Sequence, residues 1–221
     1  MNEIAFQPRE VISSDWALFL FVIAFVIVAI NKNVFAARFF EFIRLGISDK
    51  YNKIYRDSSN LLSTFTISMF VVQLISFSFF ILLLLHEFQI KSKTDGIAYV
   101  QIVTFLSFFI LSKFLIEKII ATTFQIEEFI TQFNLLKVNY RTYLGFIMLP
   151  LNIVIYYNVL NYKWLLLVVV AIVLLFNVFT YLLTIKAYQN LVNRKLFYFI
   201  LYLCTLEIAP YYFMYYLITK N

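Results

Sequence analysis

Long apolar runs separated by short basic stretches dominate the pattern of this chain. Six runs stand out: Trp16–Ile30, Leu61–Leu85, Ile97–Ile116, Tyr143–Leu160, Trp164–Ile185 and Leu196–Ile218. A run of about 18 or more apolar residues predicts a helix long enough to cross a bilayer. The first run is short, so its helix is expected to continue toward Phe35, with Lys32 reaching back to the interface. Only Asn161, Tyr162 and Lys163 separate the fourth and fifth runs, which predicts a tight antiparallel hairpin. Trp16 and Trp164 each begin a run, where aromatic anchors belong. The expected fold class is all-α: a polytopic membrane helix bundle with six transmembrane helices plus cytoplasmic amphipathic helices, forming one domain over residues 1–221.

Two connections have a pattern of their own. In Asn31–Asn60, Phe35, Phe39, Phe40, Phe42 and Ile43 mix with Arg38, Glu41 and Arg44. This predicts an interfacial amphipathic helix, then a polar turn at Gly46–Asp49 and a basic-aromatic stretch at Lys50–Arg56. Lipid contact explains such a helix, and so does docking of a cytoplasmic partner. The candidate interface residues are Arg38, Arg44, Tyr55 and Arg56. In Glu117–Asn139, Ile119, Ile120, Ile126, Ile130 and Phe133 recur at helical spacing. This segment is expected to leave the third span as a helix along the membrane surface. Lys113 and Glu117, four apart, can pair on one face.

Composition strengthens the membrane reading. Of 221 residues, 63% are hydrophobic and 14% charged, whereas soluble domains carry about 25% charged residues. The net charge of +6 is explained by orientation, so no nucleic-acid partner is expected. Thirteen of the 18 basic residues fall in alternate gaps: the first–second, third–fourth and fifth–sixth connections. The positive-inside rule makes those gaps cytoplasmic and puts both termini on the periplasmic side of a bacterial inner membrane. The first fifteen residues hold Glu3, Glu10 and Asp15 against Arg9, so no cleavable signal is expected.

Candidate chemistry is sparse. Cys204 is the single cysteine and His86 the single histidine, so no metal site, cofactor or catalytic group is expected. Glu207 falls at the centre of the last run. A carboxyl group at that depth is a functional candidate by default. Cys204 and Tyr211 share its helix face, and Pro210 leaves the carbonyl of Leu206 without its usual donor. Gln73, Asn152 and Asn177 mark the middle of other runs. A neutral Glu207 bonded to these amides would lock the bundle; a proton- or ligand-binding Glu207 would serve transport. The expected function is a non-enzymatic scaffold or accessory subunit of an envelope assembly. The alternative is a small transporter or proton-coupled carrier using Glu207. The expected partners are the lipid bilayer and a membrane protein or a second copy of the chain.

The stretch Tyr202-Leu-Cys-Thr-Leu-Glu-Ile-Ala-Pro210 resembles the C-terminal motif of an uncharacterised family of Bacteroidota integral membrane proteins, a domain-of-unknown-function family. Trp16, Phe35, Arg38-Phe39-Phe40, Tyr51, Tyr55-Arg56-Asp57 and Leu149-Pro150 agree with its looser early pattern. The resemblance implies an inner-membrane location and brings no activity, cofactor or catalytic residue.

Overall fold

The computed structural model describes residues 15–48, 50–55, 62–123, 125, 127–158 and 163–187. Among them every regular element is helical. The helices are α1 (Asp15–Val34), α2 (Ala36–Ile43), α3 (Lys50–Ile54), α4 (Thr64–Glu87), α5 (Gly96–Thr123), α6 (Glu127–Tyr157) and α7 (Lys163–Ala187), with a 3₁₀ turn at Arg44–Gly46. Three helices are long and apolar enough to cross a membrane: Trp16–Val34, Thr64–Glu87 and Gly96–Thr123. α7 carries a shorter apolar stretch, Leu166–Phe176. The sixth expected span, with Cys204, Glu207 and Tyr211, lies outside the described residues, as do Arg56 and the side chain of Asn177.

Local chemistry sets the helix ends. Ser63 caps α4 by accepting from the Thr66 backbone N–H at 3.4 Å. At the other end Gln89 takes φ 58°. The Ile90 N–H then donates to the Leu85 carbonyl and the Gln89 N–H to the His86 carbonyl. This is a Schellman stop built on glutamine instead of glycine. Asp95 accepts from the Ala98 N–H at 3.0 Å and starts α5. α1 runs to Val34, and one non-helical residue, Phe35, turns the chain into α2.

One expectation fails. The amphipathic stretch Glu117–Asn139 is not a single surface helix running out of the third span. α5 continues to Thr123, and Gln125 turns the chain at φ 52°. Residues 127–139 then form the first part of the same helix that holds the fourth apolar run. Physically, Ile130, Phe133 and Leu135 are buried, and the charged Lys137 is satisfied by α5. Residues 130–139 therefore pack inside the bundle, whereas Ile119 near the end of α5 is 66% exposed, and α6 begins at Glu127 instead of Tyr143.

α4 is the central helix, packed against α1, α5 and α6. α4 and α6 point the same way, and α1 and α5 oppose them. Phe21, Phe79, Tyr99 and Tyr156 pack at one end, and Trp16 stacks on Phe79 with ring centroids 5.8 Å apart. Phe39, Phe42, Tyr51, Phe65 and Tyr140 fill the other. The outer faces are apolar: on α5, Phe108 is 72% exposed while Glu117 is buried. A helix that turns phenylalanine outward and a carboxylate inward is built for a surrounding of lipid.

Gly145 lets α6 approach α4. A Cβ there would lie 2.8 Å from the Gln73 Cα. Backbone cannot yield as a side-chain tip can, so Gly145→Ala is expected to destabilise by about 1–3 kcal/mol. Thermal unfolding in detergent measures it; an unchanged midpoint would show that the helices separate without cost.

Candidate functional site

Among the described residues, three of the polar constellations inside the bundle bear on function. The first surrounds Arg38, which α2 turns inward. Its Nε donates to Tyr51 Oη at 3.2 Å, and its two terminal nitrogens donate to Ser63 Oγ at 2.9 Å and Thr66 Oγ1 at 3.1 Å. The guanidinium also lies 4.7 Å from the Tyr55 ring centroid and 4.8 Å from that of Phe65. Arg38 is 9% exposed. An always-charged group tolerates this burial because neutral oxygens and aromatic faces take over from water. Burial pushes the Tyr51 phenol up from its usual range, against the lowering pull of Arg38. The hydroxyl stays protonated, and its oxygen accepts from Arg38. α2, α3 and the start of α4 are thus tied through one side chain. An exposed Lys50–Glu41 pair at 2.9 Å adds a weaker link between α3 and α2.

The second constellation is the seam between α4 and α6. Thr142 Oγ1 donates to Gln73 Oε1 at 3.0 Å. Asn152 Nδ2 donates to the Ser76 carbonyl at 2.7 Å and contacts Ser76 Oγ at 3.2 Å. Gln73 Nε2 and Asn152 Oδ1 are buried without a partner among the described residues.

The third lies where α4 begins, α5 ends and α6 begins. Lys137 Nζ donates to Glu117 Oε1 at 3.1 Å, with the two side chains 7% and 4% exposed. The ammonium also sits 4.8 Å from the Phe133 ring centroid. Beside the pair opens a cleft of about 300 Å³ with apolar walls, lined at its polar end by Lys113, Glu117, Asn134, Lys137 and Arg141.

The sequence-derived candidates divide accordingly. Gln73 and Asn152 share the α4–α6 seam, bonded to Thr142 and Ser76 and not to one another. Arg38 and Tyr55 meet in the buried knot, whereas Arg44 is exposed. Glu117 pairs with Lys137, a partner that the spacing rule for a single helix does not reach. The overlooked signal is on α6: Ile130, Asn134, Lys137 and Arg141 follow one another at three- and four-residue steps, a stripe that mixes apolar and basic residues. Among the described residues no group of His, Cys, Asp and Glu could hold a metal ion.

Comparison with known proteins adds one fact to this geometry. No curated protein and no solved structure gives a match. The family described as "Domain of unknown function (DUF4271)" matches residues 17–218, almost the whole chain including every helix from α2 to α7. An all-helical bundle with inward polar ties and outward apolar faces is thus the structure of one member, and the chain belongs to the DUF4271 family.

Proposed function

We propose that this chain is a non-enzymatic scaffold or accessory subunit of an envelope assembly in a bacterial inner membrane. It would cross the membrane six times, with both termini on the periplasmic side and α2–α3 in the cytoplasm. The observation that carries this reading is the Arg38 knot. It fixes α2 and α3 as a platform at the end of the bundle. The outer side of that platform exposes Phe40, Ile43, Arg44, Ile47 and Ile54. A mixed apolar and basic surface held rigidly is suited to a membrane-bound partner, because little ordering cost is left to pay on docking. Crosslinking in cells, mild-detergent purification and mass spectrometry test it. A stoichiometric membrane-protein partner crosslinked through residues 40–54 is expected. A clean monomer across several detergents, with no crosslinked partner, would defeat the proposal.

A second reading keeps one observation in its favour. Gln73 Nε2 and Asn152 Oδ1 are a buried donor and a buried acceptor left over in the α4–α6 seam. A small carrier using Glu207 with Gln73, Asn152 and Asn177 would use such groups as ligands. The platform favours the scaffold.

A further inference from the structure

The cleft between α4, α5 and α6 combines features that no helix contact requires. Its walls include Ile67, Phe70, Leu111 and Phe114, and its polar end collects three cations against one carboxylate among the described lining residues. Asn134 is buried, and its Oδ1 has no hydrogen-bond partner among the described residues. Ile67 and Leu111 on its walls are about half exposed; in a bilayer that exposed side would face lipid, and the cleft would open sideways into the membrane. Its volume of about 300 Å³ is at the small end of ligand sites. That is room for a headgroup and the first part of a chain, with the remainder left in the membrane.

We propose that this cleft binds one anionic glycerophospholipid from the bilayer. The phosphate lies among Lys113, Lys137 and Arg141, a chain segment lies along Ile67, Phe70 and Leu111, and a headgroup hydroxyl donates to Asn134 Oδ1. Charge complementarity selects an anion. The sideways opening selects a lipid over a water-borne phosphate. The orphan acceptor selects a headgroup with an O–H, as in phosphatidylglycerol. The site is independent of the docking platform and stands or falls without it.

The test uses the full chain in a non-ionic detergent, titrated with dioleoyl-phosphatidylglycerol or dioleoyl-phosphatidylcholine and read by native mass spectrometry. Phosphatidylglycerol is expected to bind about tenfold more tightly. The double variant Lys113→Gln with Arg141→Gln should bring the ratio close to one. Leu111→Trp, at an exposed wall position, should weaken both lipids with every charge retained. Arg44→Gln, an exposed cation outside the cleft, should leave the preference unchanged. Equal binding of the two lipids to the wild type would overturn the proposal. So would a preference that survives the double cation variant, an affinity unchanged in Leu111→Trp, or a preference lost equally in Arg44→Gln. Glycerol 3-phosphate binding as well as the lipid would replace the lipid with a soluble phosphate and overturn it too.

Discussion

Glu117→Gln is expected to destabilise the bundle by about 3–5 kcal/mol, the cost of breaking a buried ion pair. The substitution keeps the shape of the side chain and removes only its charge. Lys137 remains with its side chain 7% exposed, on the face of α6 that meets α5, and its ammonium loses the carboxylate that replaced water. Lys137→Met makes the mirror-image error and leaves the carboxylate of Glu117 without its ammonium. The double variant Glu117→Gln with Lys137→Met removes both charges together and is expected to recover more than half of the loss. Such recovery is the signature of direct coupling, since changes at independent sites add. Unfolding in detergent by heat or by increasing denaturing surfactant measures all three variants. A single variant within about 1 kcal/mol of the wild type would mean that the pair is hydrated and contributes as little as a surface bridge.

Arg38→Met is expected to cost about 3 kcal/mol, concentrated in α2 and α3 and not in the bundle. Hydrogen bonds from a charged donor contribute about 1.5–3 kcal/mol each, and the aromatic contacts add to them. The sum is reduced because Ser63 Oγ and Thr66 Oγ1 lie 3.0 Å apart and keep a bond to each other. Tyr51 Oη is the hydroxyl that loses the Arg38 donor, inside a packed cluster with Phe42 and Phe65. Arg38→Lys is expected to fall between the two, since an ammonium on a thinner stem cannot reach three oxygens and lie flat between two rings. Hydrogen exchange separates local from global effects. Amides of 36–54 should exchange faster in Arg38→Met while those of the α4 core stay protected. Uniform acceleration in both segments would show that Arg38 supports the whole fold and not the platform.

The apolar runs made most helices legible. α7 contains the fifth run to within two residues at each end, α4 matches the second to within three, and α5 contains the third and continues seven residues past it, because length and apolarity are properties of one segment alone. What stayed hidden depended on two segments at once. The stretch Glu117–Asn139, with Ile119, Ile120, Ile126, Ile130 and Phe133 at helical spacing, reads as a helix along the membrane surface. The burial of Lys137 within it follows from Glu117, which lies on another helix. Arg38 read as a surface cation because its acceptors lie 13, 25 and 28 residues further along. Gln73 and Asn152 were visible as polar residues inside apolar runs, but nothing in their spacing named Thr142 and Ser76 as partners. Charge and polarity can be read residue by residue, whereas their satisfaction is a property of the folded chain.

The Glu117–Lys137 pair also bears on how the protein is made. Glu117 leaves the ribosome 20 residues before the lysine that neutralises it. At about 5–20 residues per second, Lys137 follows the carboxylate after roughly one to four seconds. Placing it in lipid during that interval would oppose insertion of α5, since a charge at the membrane centre costs at least about 2.5 kcal/mol on the insertion scale and less near the edge. If α5 and the first turns of α6 enter the bilayer together, the carboxylate and the ammonium of this pair enter as one neutral unit.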